Sequence, residues 1–267
     1  MSHGERGHGR RERTTSRSVA TFTIPGDAFA SMQAIVPAAG RGSRLGELTA
    51  DRPKGLVEVV GRPLVTYALD AAVDAGADEL VVVIGYEGGR LVEAIGDAHR
   101  GVPVTYVHQR ERRGLAHAVR QAEPHVDGTF LLVNGDNVFR DGVTPAVEAA
   151  ADPDVDGVLA VEEVSPEVAR TTGAIETDAS GAVCGIEEKA ANPPSTLVTT
   201  GCYVLPPATF RACALVQPSA EGEFQLSEAV GLLIHAGYAF ETVSLGERVN
   251  VNTPADLKLA ATLVGEP

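Results

Sequence analysis

The stretch that decides the fold runs from Ala34 to Lys54 and reads A-I-V-P-A-A-G-R-G-S-R-L-G-E-L-T-A-D-R-P-K. Residues 34–37 form a short apolar strand that breaks into a glycine-rich loop carrying two arginines, and R-P-K closes the loop. Gly40 and Gly42 allow backbone turns closed to other residues. Successive N–H groups in such a loop converge on an anion, and phosphate is the usual guest. Arg44 and Lys54 bring positive charge to the same place. The stretch therefore reads as a cradle for the triphosphate of a nucleotide. It is neither G-x-x-x-x-G-K-[ST] nor the dinucleotide G-x-G-x-x-G, because arginine interrupts the second pattern and no acidic residue closes the next strand.

Outward from this stretch, strands and helices alternate. Helical spacing covers 64–75 and stops at Gly76. Residues 79–84, E-L-V-V-V-I, are the continuous apolar run of a strand buried on both faces. A helix at 88–95, a strand at 104–108, a helix at 115–123 and a strand at 129–133 follow. This order predicts a doubly wound, mostly parallel α/β sheet of Rossmann-like character. Ligands of such sheets sit beyond the carboxyl ends of the strands. The loops 37–44, 109–114 and 134–137 should then meet along one edge. After Asp156 the texture changes to short strands near 157–162, 173–177, 182–187 and 199–205, read as a small added β-rich half lying over the sheet. A helix at 224–235, a strand at 239–243 and a helix at 254–263 complete the chain.

Residues 1–31 hold five arginines and little apolar content before Val19. They are expected to be a disordered basic tail, with Met32 as an alternative start, ahead of one domain over 32–267. The twin arginines at 10–11 precede no apolar segment, so no export signal is read. No apolar run reaches the ~18 residues of a membrane helix. A formal net charge of −14 argues against nucleic-acid binding through a basic face. Cys184, Cys202 and Cys213 show no metal-like spacing and suit a reducing cytoplasm. Among the 22 basic residues only Lys54, Lys189 and Lys258 are lysines, a surface chemistry similar to that of proteins from high-salt cytoplasms. Asp136, in L-V-N-G-D-N at the end of a buried strand, faces the ligand edge and is placed to hold Mg²⁺.

P-A-A-G-R-G-S-R-L with R-P-K, then G-L-A-H-A, G-D-N, E-K-A and V-N-T-P-A-D-L, together resemble the sugar-phosphate nucleotidyltransferase family over 33–263. The glucose-1-phosphate thymidylyl- and uridylyltransferases are the members most similar in pattern. The resemblance implies one reaction: UTP or dTTP plus a sugar 1-phosphate, glucose 1-phosphate first, gives the nucleotide sugar and pyrophosphate. It assigns the triphosphate to Ala38, Ala39, Gly40, Gly42, Ser43 and Arg44, and the base edge to Gln109 with Gly114. Lys54 reaches both the α-phosphate and the sugar phosphate. Gly173, Glu188, Lys189 and Gly201 hold the sugar and its phosphate, with Arg44, Lys54, Asp136 and Lys189 as the catalytic set. Mg²⁺ falls to Asp136 and to Asn250, or to Asn252 if the alignment slides by two. A homo-oligomer is a further family expectation.

Three positions depart from the family pattern: Ala190 replaces the proline of E-K-P, His117 replaces a common glutamine, and N-V-N-T-P replaces a D-V-G-T-P-like segment. The last change exchanges a carboxylate for an amide and motivates a competing reading as a non-catalytic nucleotide-sugar-binding regulator. Within enzymes the competitors are GTP with mannose 1-phosphate, UTP with N-acetylglucosamine 1-phosphate and CTP with an alcohol phosphate.

Overall fold

In the computed structural model the described residues are 31–265 together with residue 1, and the disordered-tail reading of 1–31 falls, over residues 2–30, outside them. The deciding stretch begins with strand β1 (Gln33–Pro37). Helix α1 (Val65–Asp74) leads to β2 (Glu79–Ile84), and α2 (Gly88–Ile95) leads to β3 (Val102–His108). Helix α3 (Leu115–Gln121) leads to β4 (Phe130–Val133). Strand β1 lies between β2 and β4, with β3 beyond β2, and all these pairings are parallel. Predicted and observed boundaries agree to within about two residues, the usual scatter at element ends.

Strands β1, β2 and β4 have no polar face. Ala34 and Val36, Leu80 and Val82, and Leu131 and Val133 enter one core. Ile35, Val81, Val83, Phe130 and Leu132 enter a second core on the opposite face. A strand covered on both sides has no solvent face to mark with polar residues, hence the unbroken run at 79–84. Helices α1, α2 and α4 (Thr144–Ala149) cover the first core through Ala68, Leu69, Leu91 and Ala146. The sequence reading passed over α4, which begins directly after the turn-like residues Asp141 and Gly142.

The later strands extend the sheet and do not lie over it, which corrects the sequence expectation. After β4, the short β5 (Asn137–Phe139) leaves the sheet. Then β6 (Gly157–Glu163), the hairpin β7 (Gly173–Thr177) and β8 (Val183–Glu188), and the long β9 (Leu197–Leu205) join a ten-stranded mixed sheet. Strand β9 is the splice: it pairs antiparallel with β4 through Cys202↔Val133 to Leu205↔Phe130, and also with β6 and β7. Cys202 and Val204 enter the first core while Tyr203 and Leu205 enter the second, so β9 needs cover on both faces and sits inside the sheet. Helices α5 (Ala208–Leu215), also unread in the sequence, and α6 (Leu226–His235) supply that cover on the second face. Strand β10 (Phe240–Ser244) adds parallel to β6.

A two-stranded ribbon then carries the chain end back to the parallel half. Strand β11 (Arg248–Asn250) pairs antiparallel with β5, placing Asn250 opposite Asn137, and α7 (Pro254–Gly265) follows. Leu45, Val57, Leu64, Val138, Val251 and Ala260 form a third core beneath this ribbon. Leu45 belongs to the glycine-rich stretch and Val251 to N-V-N-T-P, so one apolar cluster fixes two segments some 200 residues apart in sequence.

Candidate active site

The glycine-rich loop is held from below and open above. Gly42 has φ 74° and starts a short 3₁₀ segment, Ser43–Thr49, where the sequence reading placed only loop. A Cβ at Gly42 would stand 2.9 Å from Lys54 Cβ, so glycine is required for space as well as for conformation. The Thr49 hydroxyl donates to Gly42 O at 2.9 Å, and the Lys54 amide donates to Gly40 O at 3.4 Å. Among the described residues none accepts a hydrogen bond from the backbone amides of 39–42. A run of unpaired amides at a strand end is a binding surface for an anion.

Beside this loop, charged and amide groups from three segments converge. Lys54 Nζ donates to Asp136 Oδ2 at 2.7 Å and to Asn252 Oδ1 at 2.9 Å. Arg44 Nη2 donates to the same Asn252 oxygen at 2.9 Å, and Asn252 Nδ2 donates to Asn250 Oδ1 at 2.9 Å. The approach of Asn252 is set locally. Asp256 Oδ2 accepts from the Asn252 and Thr253 amides at 2.9 and 2.7 Å, and the Asp256 amide donates back to Thr253 Oγ1 at 3.3 Å. This reciprocal capping of α7 is written in the sequence as T-P-A-D. The Val251 amide donates to Asp136 O at 2.9 Å, which ties the two segments together through the backbone.

The donor set suits a hard cation. Asp136 Oδ1 accepts from no described residue, and Asn250 supplies a neutral amide oxygen nearby. No group of three or more His, Cys, Asp or Glu side chains that could hold a metal occurs among the described residues. Mg²⁺ needs no such cage, since it is commonly held by one or two carboxylates together with substrate phosphates and water. Asn252 Oδ1 already accepts from two cationic side chains, a poor position for a third cation. Asn250 Oδ1 accepts only from the Asn252 amide, so the two candidate ligands differ in what already occupies their oxygens.

Two adjoining cavities open from this cluster. The larger, about 360 Å³, is lined by Pro37, Gly40, Gln109, Gly114, Asn134 and Asp136. The three loops predicted to share an edge do share it. The smaller, about 190 Å³, is lined by Gly173, Glu188, Thr199, Gly201, Ser227 and Asn250, among others. It lies where β9 changes partners. Gly201 has φ 80°, and a Cβ there would stand 2.6 Å from the side-chain nitrogens of both Asn134 and Asn137. The register of β9 against β6 shifts between Thr199 and Tyr203 at this point. Glu188 accepts from the Ser227 hydroxyl at 2.7 Å, and burial pushes its carboxyl above the usual range despite that bond and nearby Lys189.

Lys189 is not in the Lys54–Asp136 cluster. It does not line the second cavity; with φ 49° it turns into a separate cavity of about 290 Å³ shared with Glu188, Gln225 and Glu221, and its ammonium is paired with Glu221 at 2.6 Å. Residues not singled out in the sequence also meet here. Asn134 and Gln225 line both cavities, and Asn134 Oδ1 is buried without a partner. Arg248 lines the second cavity, donates to Asn137 Oδ1 at 2.9 Å and pairs with Glu162, bracing the β5–β11 ribbon. Asn134 had a signal, its place at the strand end in N-G-D-N, whereas Arg248 had none.

The description "nucleotidyl transferase" matches residues 33–247 of this chain. The chain is 45% identical over 226 residues to the UTP–glucose-1-phosphate uridylyltransferase AglF of Haloferax volcanii, covering 84% of this chain and 93% of that protein. It is 36% identical over 208 residues to a glucose-1-phosphate thymidylyltransferase of Streptomyces griseus, covering 77% of this chain but 58% of that protein. Among solved structures, a UDP-glucose pyrophosphorylase complexed with UDP-glucose superposes with a TM-score of 0.79 at 22% identity, over 88% of this chain and 98% of that one.

Proposed function

We propose, because this chain belongs to the nucleotidyl transferase family, that it transfers a nucleotidyl group from UTP or dTTP to glucose 1-phosphate, giving the nucleotide sugar and pyrophosphate. One observation carries the reading beyond family membership. Ala39 and Gly40, with their free amides, and the carboxylate of Asp136 line one cavity, and two cationic side chains adjoin it: Lys54 bonded directly to Asp136, and Arg44 through the Asn252 oxygen that both share. The similarity to AglF, a uridylyltransferase acting with glucose 1-phosphate, supports the choice of substrates.

The chemistry asks little of acid–base groups. A sugar-phosphate oxygen attacks the α-phosphorus in line, the new P–O bond forms, and the bond from the α-phosphorus to the bridging oxygen breaks with pyrophosphate leaving. The nucleophile is already an anion, so no proton has to be removed. The barrier lies in bringing two anions together and in the charge that builds at the α-phosphate, so positioning and electrostatic stabilisation dominate. The amides around Gly40 and Gly42, with Ala38, Ala39, Ser43 and Arg44, hold the triphosphate. Gln109 and Gly114 meet the base. Lys54 turns from Asp136 and Asn252 to the α-phosphate when nucleotide enters. Asp136, with Asn250 or Asn252, would hold Mg²⁺, and the bound ion would offset phosphate charge. Gly173, Glu188 and Gly201 form the sugar pocket, and Lys189 takes the sugar phosphate after giving up Glu221. Pyrophosphate release measured with a panel of nucleoside triphosphates and sugar 1-phosphates tests the proposal. Release with UTP or dTTP and glucose 1-phosphate is expected, and no release from either refutes it.

A further inference from the structure

We propose that His117 is a positioning residue that fixes the Gln109 amide with its oxygen toward the cavity, so that the site selects a base bearing a ring N–H and disfavours cytosine. The inference rests on the assignment of this cavity to the nucleotide base and adds to it which edge the cavity reads. Gln109 is 4% exposed and lines the larger cavity beside Gly114. Its side-chain nitrogen lies 3.1 Å from Gly114 O and 2.9 Å from His117 Nδ1. A carbonyl oxygen only accepts, so the amide atom facing Gly114 O must be the NH₂ group. This settles the orientation of the amide by chemistry. The second hydrogen of that group then points to His117 Nδ1, which must be the unprotonated, accepting nitrogen of a neutral ring.

The surroundings of His117 favour that neutral form. Burial lowers its pKa below the ordinary imidazole value, and Arg113 and Arg120 push in the same direction against the opposing effect of Glu111. The ring packs near Phe224, and within the same helix Gln121 Nε2 donates to the His117 backbone oxygen at 3.2 Å. His117 itself does not line the cavity, so it acts only through Gln109.

Both donors of the Gln109 amide are thus engaged within the protein. Its oxygen accepts from no described residue and is not among the buried polar atoms left without a partner, so it opens on the cavity. Gln109 can therefore present only an acceptor. Uracil and thymine offer N3–H to it, whereas cytosine offers the lone pair of an unprotonated N3. Facing acceptor to acceptor leaves both groups without a partner where base and amide meet.

The test is the binding of UTP and of CTP to the whole protein by calorimetry, for wild type, H117L and H117Q. Wild type is expected to bind UTP at least about tenfold more tightly than CTP. H117L removes the acceptor that fixes one amide hydrogen and is expected to narrow that ratio about fivefold. H117Q restores an acceptor at the same place and is expected to return the ratio to within about twofold of wild type. If H117L does not fold, H117N replaces it, because its shorter amide falls short of Gln109. An unchanged ratio in the folded variant overturns the inference, as does wild-type protein that binds CTP as well as UTP or binds neither. The readout is binding alone, so absence of turnover with glucose 1-phosphate would count against the proposed reaction and leave the base preference to be judged separately.

Discussion

Replacing Lys54 by methionine separates what the ammonium does for the fold from what it does for the reaction. The stem of Lys54 is buried, 11% exposed as a side chain, and runs against Gly42, so methionine keeps the packing while deleting the charge. In the free protein the ammonium sits 2.7 Å from Asp136 and 2.9 Å from Asn252. At an effective dielectric of about 20 the ion contact is worth about 6 kcal/mol of gross attraction. Desolvation of both ions offsets most of this, and Asp136, with its side chain 30% exposed, rehydrates when the lysine is gone. Stability is therefore expected to change by no more than about 1 kcal/mol. Turnover is a different matter. A preorganised donor to the charge developing at the α-phosphate is worth roughly 3–4 kcal/mol, so kcat for pyrophosphate release should fall about 10²- to 10³-fold. The assay is initial-rate pyrophosphate release at saturating UTP and glucose 1-phosphate, with thermal unfolding run in parallel. A folded K54M protein with kcat within about threefold of wild type and a raised KM would show that the ammonium binds ground state and transition state equally, which refutes the role argued for it.

Gly201→Ala forces a left-handed backbone and drives a methyl into Asn134 and Asn137, so a loss of about 2–4 kcal/mol in denaturant unfolding is expected. Arg248→Met strips the partner from Glu162 and from Asn137 Oδ1; with Glu162 29% exposed, a loss of about 2–3 kcal/mol is expected by the same measurement. Glu221→Gln frees Lys189 from its exposed ion pair, and KM for glucose 1-phosphate should fall two- to fivefold with kcat nearly unchanged, from the roughly 0.5–1 kcal/mol of such pairs. For Glu188 the folded carboxyl titrates above its unfolded value, so the folded state holds the proton more tightly and its contribution to stability is present at acid pH and lost as pH rises through the raised pKa. Glu188→Gln mimics the protonated form, so its melting temperature relative to wild type should climb from pH 4 toward pH 7, and a flat or falling difference would contradict the assignment.

The parallel half of this protein was readable one segment at a time. E-L-V-V-V-I could only be a strand with cover on both sides, and the glycines and arginines of 34–54 specify a turn with free amides whatever surrounds it, because those properties belong to local backbone and side-chain chemistry. The placement of the later strands was not readable. Leu197–Leu205 has the same apolar texture whether it lies over a sheet or inside one, and only its pairing with β4 decides between them. Helix α5 follows Pro206 and Pro207 and shows no clean apolar stripe, so its local signal was weak until α6 packed against it. In the site, Lys54 and Asp136 were legible as residue types suited to phosphate and metal. That Asn252 would join them from 198 residues away, that Lys189 would be tied to Glu221, and that His117 would orient Gln109 were set by the ribbon and by helix packing. A sequence records which conformations each segment tolerates and which faces must leave water. Which distant side chains then share a few ångströms depends on how the sheet is ordered, and that order comes from burying the separate apolar clusters at once.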